Sequence, residues 1–214
     1  MNYDPIAFLA QSKLKDLGFY KLIPDGLWGP NSVNAINAWS TSVNTTAVLQ
    51  PSITTAPTLD SRTISIIATL DPKAQQKMRN FMLLAIPVAV SFGCEYRFIS
   101  GYRTWAEQTV LYNAYKNGGP RAVPAGYSMH NLKLACDAGV FRNGKYLEDG
   151  NAADQALAEK VHLACSKLAA QCGLVAGATW TGKSLDEPHY QIDIGHETPT
   201  DEDRAKFAAT GTIL

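Results

Sequence analysis

The sequence lacks an excess of charge of either sign, because its 19 Lys and Arg side chains balance its 19 Asp and Glu side chains. This balance gives the chain as a whole no electrostatic attraction to nucleic acid or to an anionic membrane. A long apolar run is also lacking, since the best stretch, FMLLAIPVAV, is too short to span a bilayer and contains Pro87. We therefore expect no nucleic-acid partner and no membrane insertion, and any partner must be recognised by a local site.

The sequence also has no pair of cysteines spaced as CxxC. Its N-terminal segment carries Asp4 and has no continuous apolar stretch, so it does not read as a secretory signal, and we expect the protein to be made in a cytoplasm. Cytoplasmic thiols are normally reduced. We therefore expect Cys94, Cys136, Cys165 and Cys172 to be small buried hydrophobic residues rather than disulfide or metal partners.

Two short helices are predicted in the first forty residues. Asp4-Pro5 supplies a cap and a proline at the start of the first helix, which Gly18 ends. Breaks at Asp25-Gly26 and Gly29-Pro30 precede the second helix. We expect this helix to direct three side chains inward: Val33, Ile36 and Trp39. Residues 40–59 are rich in Ser, Thr and Pro and form either a long loop or a linker.

The segment LGFYKLIPDGLWGPNSVNAINAW resembles the peptidoglycan-binding module found beside many cell-wall hydrolases. A third helix closes the module in that family, and TLDSRTISIIATL is similar to it. The resemblance implies a small three-helix peptidoglycan-binding module over residues 1–70. It also implies wall contacts by four residues: Asp25, Gly26, Trp28 and Gly29.

The remainder, residues 71–214, mixes helical and strand patterns. YRFISGYR, KLACDAGVF and HYQIDI are typical of strands and turns. One helix opens at Asp71-Pro72, another at the capping box of Thr104 and Glu107, and a third carries an apolar stripe that ends at Gly173. We therefore predict an α+β domain in which helices flank a small antiparallel sheet.

Strand alternation predicts where the polar residues of this domain point. In HYQIDI, Tyr190 and Ile192 share the core face, so His189 faces an open groove. In KLACDAGVF, Asp137 lies among very small neighbours, which leave room for an ion or ligand. His130 precedes Asp137 by seven residues, and neither a continuous helix nor an unbroken strand brings the two side chains to one small ion. A bend before Asp137 is required.

His130, Asp137 and His189 together offer two nitrogens and one oxygen, with a fourth position left for water. Three protein ligands and an open position are typical of catalytic zinc rather than structural zinc. Pro188 disfavours a helix across DEPH, which places Asp186 on the turn that enters the strand. Taken singly, a histidine at a strand edge is more often solvated, and an aspartate beside a proline is commonly a turn former.

A second resemblance bears on this set. SMHNLKLACD, DEPHYQ and SGYRT are similar to the SxHxxGxAxD, (D/E)xxH and SGYRS/T segments of zinc peptidases that cleave peptidoglycan stem peptides. That family includes D-alanyl-D-alanine carboxypeptidases and the L-alanyl-D-glutamate endopeptidases of phage endolysins. The sequence departs from the pattern at Lys133, where the family usually has glycine.

The resemblance implies Zn²⁺ on His130, Asp137 and His189, with Asp186 as general base and then general acid. Arg103, in SGYRT, is similar to the family arginine that stabilises an oxyanion or holds a substrate carboxylate. Ser128 hydrogen-bonds a ligand or substrate, or its own loop.

A wall-binding module joined to such a peptidase resembles a phage endolysin, which is made in the host cytoplasm and reaches the wall after the membrane is permeabilised. Within the family, the asparagine after His130 is similar to the endopeptidases. We therefore expect a monomer acting on peptidoglycan as an L-alanyl-D-glutamate endopeptidase. Two alternatives stay open: a D-alanyl-D-alanine carboxypeptidase, and a non-catalytic wall-binding protein with a vestigial site. The presence of Asp186 counts against the second alternative.

Overall fold

The structure, a computed structural model, describes residues 5–27, 29–44 and 58–214. Its contacts divide the chain into two compact units, Met1–Ala56 and Pro57–Leu214. No helix among the described residues is long and apolar enough to cross a membrane. The predicted cap at Asp4, the side chain of Trp39, Trp28, and residues 45–57 of the predicted loop or linker lie outside the described part.

The first unit contains the helices α1 (Pro5–Asp16) and α2 (Pro30–Asn44). Leu14, Tyr20 and Ala35 form its small core. The prediction that Val33 points inward is wrong, because this side chain is 50% exposed and the neighbouring Ser32 is buried instead. Ile36, by contrast, is partly buried and packs against this core, as predicted.

Buried Gln11 organises the turn between these helices. Its amide oxygen accepts hydrogen bonds from the backbone N–H groups of Asp25 and Gly26, each at 2.9 Å, and its nitrogen donates to the Asp25 carboxylate. Gly26 adopts a φ of 70°, a conformation that glycine reaches without steric cost. Gly29 directly precedes α2 and accepts hydrogen bonds from the first turn of that helix. Asp25, Gly26 and Gly29 therefore have structural roles in this turn.

The second unit is an antiparallel sheet with flanking helices, as the sequence predicts. The strand order is β1-β2-β5-β4, and β3 pairs with β2 at the side of this path. Its elements are α3 (Ser61–Ala68), α4 (Pro72–Ser91), β1 (Glu95–Ser100), α5 (Trp105–Lys116), β2 (Ala135–Arg142), β3 (Lys145–Tyr146), α6 (Ala152–Ser166), β4 (Leu174–Ala176), β5 (His189–Ile192) and α7 (Asp201–Thr210).

The core lies between one face of the sheet and the helices α4 and α6. Phe81 of α4 packs on Tyr190 of β5, with ring centroids 4.3 Å apart. All four residues of β5 are buried. The predicted alternation is confirmed because Tyr190 and Ile192 belong to the hydrophobic core, whereas His189 and Gln191 line the cavity on the other face. Packing on this face holds β5 in place and leaves its other face to His189 and Gln191.

Two helices of this unit begin at the capping residues that the sequence predicts. Asp71 caps α4 before Pro72, and Thr104 caps α5 in a complete capping box with Glu107, as predicted. The long apolar stripe predicted to end at Gly173 is interrupted, since α6 stops at Ser166 and a short 3₁₀ turn precedes the glycine.

We expected the helix at residues 61–68 to close the N-terminal module. It packs in the second unit instead. Its Thr63 hydroxyl accepts a hydrogen bond from the backbone N–H of Phe98 in β1 at 3.0 Å. Its Asp60 cap holds Thr63 in turn. The boundary between the units therefore lies after Ala56 rather than near residue 70, and the described part of the first unit contains two helices instead of three.

The cysteines are free thiols, as expected, and Cys94, Cys136 and Cys165 are buried. Burial raises the pKa of Cys165 to about 12 and that of Cys172 to about 11. Because the thiolate is the reactive form, these two side chains act as small hydrophobic groups at neutral pH.

Lys133 occupies the left-handed region, with φ 62° and ψ 29°, at the position where the resembled family has glycine. The backbone conformation that glycine would favour is thus present despite the substitution. Its ammonium lies 5.3 Å from the ring centroid of Tyr102 and 5.8 Å from that of Phe207 in α7. These cation–π contacts offset part of the steric cost of the left-handed backbone.

We predict that the free energy of unfolding of the Lys133→Gly variant is about 0.5–1 kcal/mol higher than that of the Lys133→Ala variant. Both substitutions remove the cation–π contacts, so the difference between them isolates the left-handed backbone. Urea titration of the two variants followed by circular dichroism measures it. Equal stability, or a more stable alanine variant, would contradict a left-handed residue at this position.

Candidate metal centre

Three elements bring His130, Asp137 and His189 together. Asp137 in β2 and His189 in β5 are directly paired partners of the antiparallel ladder. His130 lies in a short 3₁₀ helix, Met129–Leu132, that ends at the left-handed Lys133. This turn supplies the bend before Asp137 that the sequence spacing requires.

The three candidate ligand atoms form a nearly equilateral triangle. His130 Nε2 lies 3.2 Å from Asp137 Oδ1 and 3.3 Å from His189 Nδ1, and the third edge, from His189 Nδ1 to Asp137 Oδ1, is 3.3 Å. A tetrahedral Zn²⁺ with bonds of about 2.0–2.1 Å places neighbouring ligand atoms about 3.3–3.4 Å apart. The triangle therefore has the size that tetrahedral zinc requires, and two imidazoles with a carboxylate are ligands that suit zinc.

The electrostatics of the three groups favour positive charge between them. Burial alone would raise the pKa of Asp137, but His130 and His189 beside it hold that pKa well below its usual range. Burial would lower the pKa of His189, yet the hydrogen bond to Asp137 raises it above its usual value. The site thus keeps an anionic carboxylate in a partly buried position, where a cation would stabilise it.

Arg103 lies beside this carboxylate. Its guanidinium is 3.6 Å from Asp137 Oδ2, and it donates hydrogen bonds to Gln108 Oε1 and to Ser100 Oγ. Its backbone N–H donates to the carbonyl of His130 at 3.2 Å. Arg103 is therefore fixed next to the three ligands, with part of its donor capacity used by neighbouring protein groups.

Ser128 begins the 3₁₀ helix that carries His130. Its hydroxyl oxygen accepts a hydrogen bond from the His130 backbone N–H at 3.3 Å, and it also lines the cavity over the site. Of the two roles that the sequence leaves open for Ser128, the contact with its own loop is present in the structure.

A cavity of about 620 Å³ opens over the three ligands. Its wall includes Arg103, Tyr146, Trp180, Asp186 and all three ligand residues. Trp180 packs beside His189, with ring centroids 5.2 Å apart, whereas Trp105 is 43% exposed on α5. This cavity is large enough to receive part of a peptide substrate.

Asp186 lies on the turn that enters β5, as the proline beside it suggests. Its backbone carbonyl accepts a hydrogen bond from the His189 N–H at 3.1 Å, and its own N–H donates to the carbonyl of Gly177. The residue is exposed to solvent, but partial desolvation against the cavity wall raises the pKa of its carboxyl. A carboxylate with a raised pKa beside a metal site is suited to proton transfer.

Sequence reasoning missed Gly177, and it did not find the contacts by which Asn131 holds the site. Gly177 is needed because a Cβ there would lie 2.3 Å from the Asp186 carbonyl oxygen. Buried Asn131 accepts a hydrogen bond from the Gly126 N–H and donates to the carbonyl of Arg103, which ties two loops together.

No protein-family model matches the chain, and no curated protein shows significant similarity to it. Among solved structures, the L-Ala D-Glu endopeptidase ChiX of Serratia marcescens is 18% identical with a TM-score of 0.42, over 67% of this chain and 95% of that one. The vancomycin resistance D,D-pentapeptidase VanY, solved as a point mutant in complex with Zn(II), is 18% identical with a TM-score of 0.41, over 67% and 80% of the two chains. The D,D-dipeptidase VanXYg, solved with a D-Ala-D-Ala phosphinate analogue, is 17% identical with a TM-score of 0.38, over 66% and 55%. A likeness at this level establishes neither the activity nor the substrate of this chain.

Proposed function

We propose that this protein is a zinc peptidase that hydrolyses a peptide bond in the stem peptide of peptidoglycan. The observation that carries the proposal is the triangle of His130 Nε2, Asp137 Oδ1 and His189 Nδ1, with edges of 3.2–3.3 Å beneath an open cavity. Three protein ligands and an open side are the arrangement of a catalytic zinc site.

His130, Asp137 and His189 hold the ion, and Zn²⁺, when bound, lowers the pKa of a coordinated water and polarises a carbonyl. Asp137 also balances charge, since its carboxylate stays ionised between the two imidazoles. Oxygen-preferring ions such as Mg²⁺ and Ca²⁺ fit this nitrogen-rich set poorly.

Asp186 acts as the proton carrier. It lines the same cavity as the three ligands, and its carboxyl has a raised pKa. It accepts the proton of the attacking water and then returns that proton to the leaving amine. Its position on the turn into β5 keeps it in fixed relation to His189 through the backbone hydrogen bond between them.

Arg103 stabilises negative charge on the substrate side. Its guanidinium lines the cavity and is held by Gln108, Ser100 and the edge of Asp137. A preorganised guanidinium favours the oxyanion that develops on the scissile carbonyl, or a substrate carboxylate. We assign Ser128 a substrate contact in addition to its cap on His130.

The class of substrate is supported by the resemblance of SGYRT, SMHNLKLACD and DEPHYQ to stem-peptide peptidases. The asparagine after His130 is similar to the endopeptidases among them, so we propose cleavage between L-alanine and D-glutamate. We further propose that residues 1–56 bind the wall, through the loop that contains Asp25, Gly26, Trp28 and Gly29. In this proposal the protein is an endolysin, made in the host cytoplasm and active on the wall after membrane permeabilisation.

Digestion of purified sacculi with the zinc-loaded protein tests this function. We expect mass spectrometry to find muropeptides cleaved between L-alanine and D-glutamate, with free N-terminal D-glutamate as the new end. A free pentapeptide serves as the comparison substrate. Release of terminal D-alanine alone would assign a carboxypeptidase instead, and binding to sacculi without any cleavage would assign a wall-binding protein.

A further inference from the structure

Buried Gln191 lies beside His189 on the site face of β5. Alternate residues of a strand share one face, so the two side chains are neighbours. The amide oxygen of Gln191 lies 2.9 Å from His189 Nε2, and its amide nitrogen donates to the backbone carbonyl of Glu197 at 3.1 Å. The side chain is 1% exposed, and both of its polar atoms are hydrogen-bonded.

These contacts determine the proton position on His189. A backbone carbonyl only accepts hydrogen bonds, so the Gln191 nitrogen must face Glu197 and the Gln191 oxygen must face His189. That oxygen also only accepts, so His189 Nε2 must carry the proton. In the neutral ring, Nδ1 then presents its lone pair to the other ligands.

In His130 the proton lies on the other ring nitrogen, Nδ1, and a backbone carbonyl holds it there. Its Nδ1 lies 2.7 Å from the carbonyl oxygen of Gly101, which only accepts, so the proton is on Nδ1 and the lone pair is on Nε2. His130 Nε2, His189 Nδ1 and Asp137 Oδ1 are therefore three acceptors that meet within 3.2–3.3 Å. Three converging lone pairs repel one another unless a cation or a shared proton lies among them.

We propose that Gln191 is the positioning residue of this centre, which holds His189 in its Nε2-protonated form and so presents Nδ1 as the ligand atom. The inference rests on the proposed zinc site. The acceptor for His130 is the backbone carbonyl of Gly101, which no substitution removes. The acceptor for His189 is a side chain, so substitution of Gln191 tests its role.

Gln191→Met keeps the length of the side chain and removes both polar atoms. We expect its affinity for Zn²⁺, measured by competition with a chromophoric chelator, to fall about 10–100-fold, the range for loss of an outer-shell partner of a ligating histidine. Gln191→Glu restores an acceptor for His189 and, when protonated, a donor for the Glu197 carbonyl, so its affinity should lie closer to that of the unmodified protein. Gln155→Met, on the exposed surface of α6, is the matched control and should bind Zn²⁺ normally.

Nitrogen-15 NMR of the metal-free protein gives a second readout that needs no turnover. Measured above the pKa of the ring, His189 should show a protonated Nε2 and a bare Nδ1, and the Met variant should show a mixture. A bare Nε2 in the unmodified protein, or unchanged Zn²⁺ affinity in a folded Met variant, would overturn the assignment of Gln191. Absence of zinc binding by the unmodified protein would instead overturn the proposed function, so the two failures are distinguishable.

Discussion

Replacing His130 by alanine is expected to abolish tight zinc binding and, with it, peptidoglycan hydrolysis. The substitution removes one corner of the ligand triangle and leaves Asp137 with a single imidazole neighbour. Loss of a direct ligand should cost more than the roughly 10–100-fold in affinity that loss of an outer-shell partner costs. Metal content after dialysis and the rate of sacculus clearing measure the two effects.

His196→Ala is the matched control for this substitution. His196 bonds Asp203 at 2.7 Å and is not among the residues that line the cavity, so this variant should retain both zinc and activity. Full zinc occupancy together with normal hydrolysis in His130→Ala would exclude His130 from the centre and remove the basis of the proposed function.

Asp186→Ala should separate metal binding from catalysis. The three ligand residues stay in place, so we expect zinc affinity close to that of the unmodified protein. Loss of the proton carrier should slow hydrolysis by about 10²–10⁴-fold, the usual contribution of general acid–base catalysis. Initial rates on a defined muropeptide, with zinc content determined on the same samples, measure both quantities.

The neighbouring Glu187 provides the control for Asp186. It is a carboxylate on the same turn but is not among the residues that line the cavity, so Glu187→Ala should keep its activity. Turnover of Asp186→Ala at the rate of the unmodified protein would remove Asp186 from the mechanism while leaving the zinc site intact.

The parts of the fold that local physics determines were predictable from the sequence. Alternation in β2 and β5 placed Asp137 and His189 on the face opposite the core, and the register pairs them directly. Capping signals at Asp71 and Thr104 located the starts of α4 and α5. These features depend on neighbouring residues alone, which is why the pattern is sufficient to find them.

Other features depend on contacts between distant segments. Helix α3 carries an apolar pattern that suits either unit, and its contacts with β1 and α4, including the hydrogen bond to Thr63, decide between them. Helix α7 was missed because its sequence, DEDRAKFAAT, has little apolar periodicity, although Thr200 before the helix and Asp203 in its first turn form a capping box. The bend at His130 was required by spacing, but the left-handed Lys133 that makes it was not foreseeable from a residue that disfavours this conformation.

His130 is held by a backbone carbonyl and His189 by a side chain, and this difference has a consequence for engineering the metal preference of the centre. Saturation mutagenesis at position 101 offers little scope, because any side chain keeps the carbonyl while a Cβ would lie 2.7 Å from Ile66 Cγ2. A library at position 191 alters the basicity and orientation of one ligand while the backbone stays unchanged. Selection for cobalt or nickel loading should therefore enrich substitutions at position 191 before it finds any at position 101.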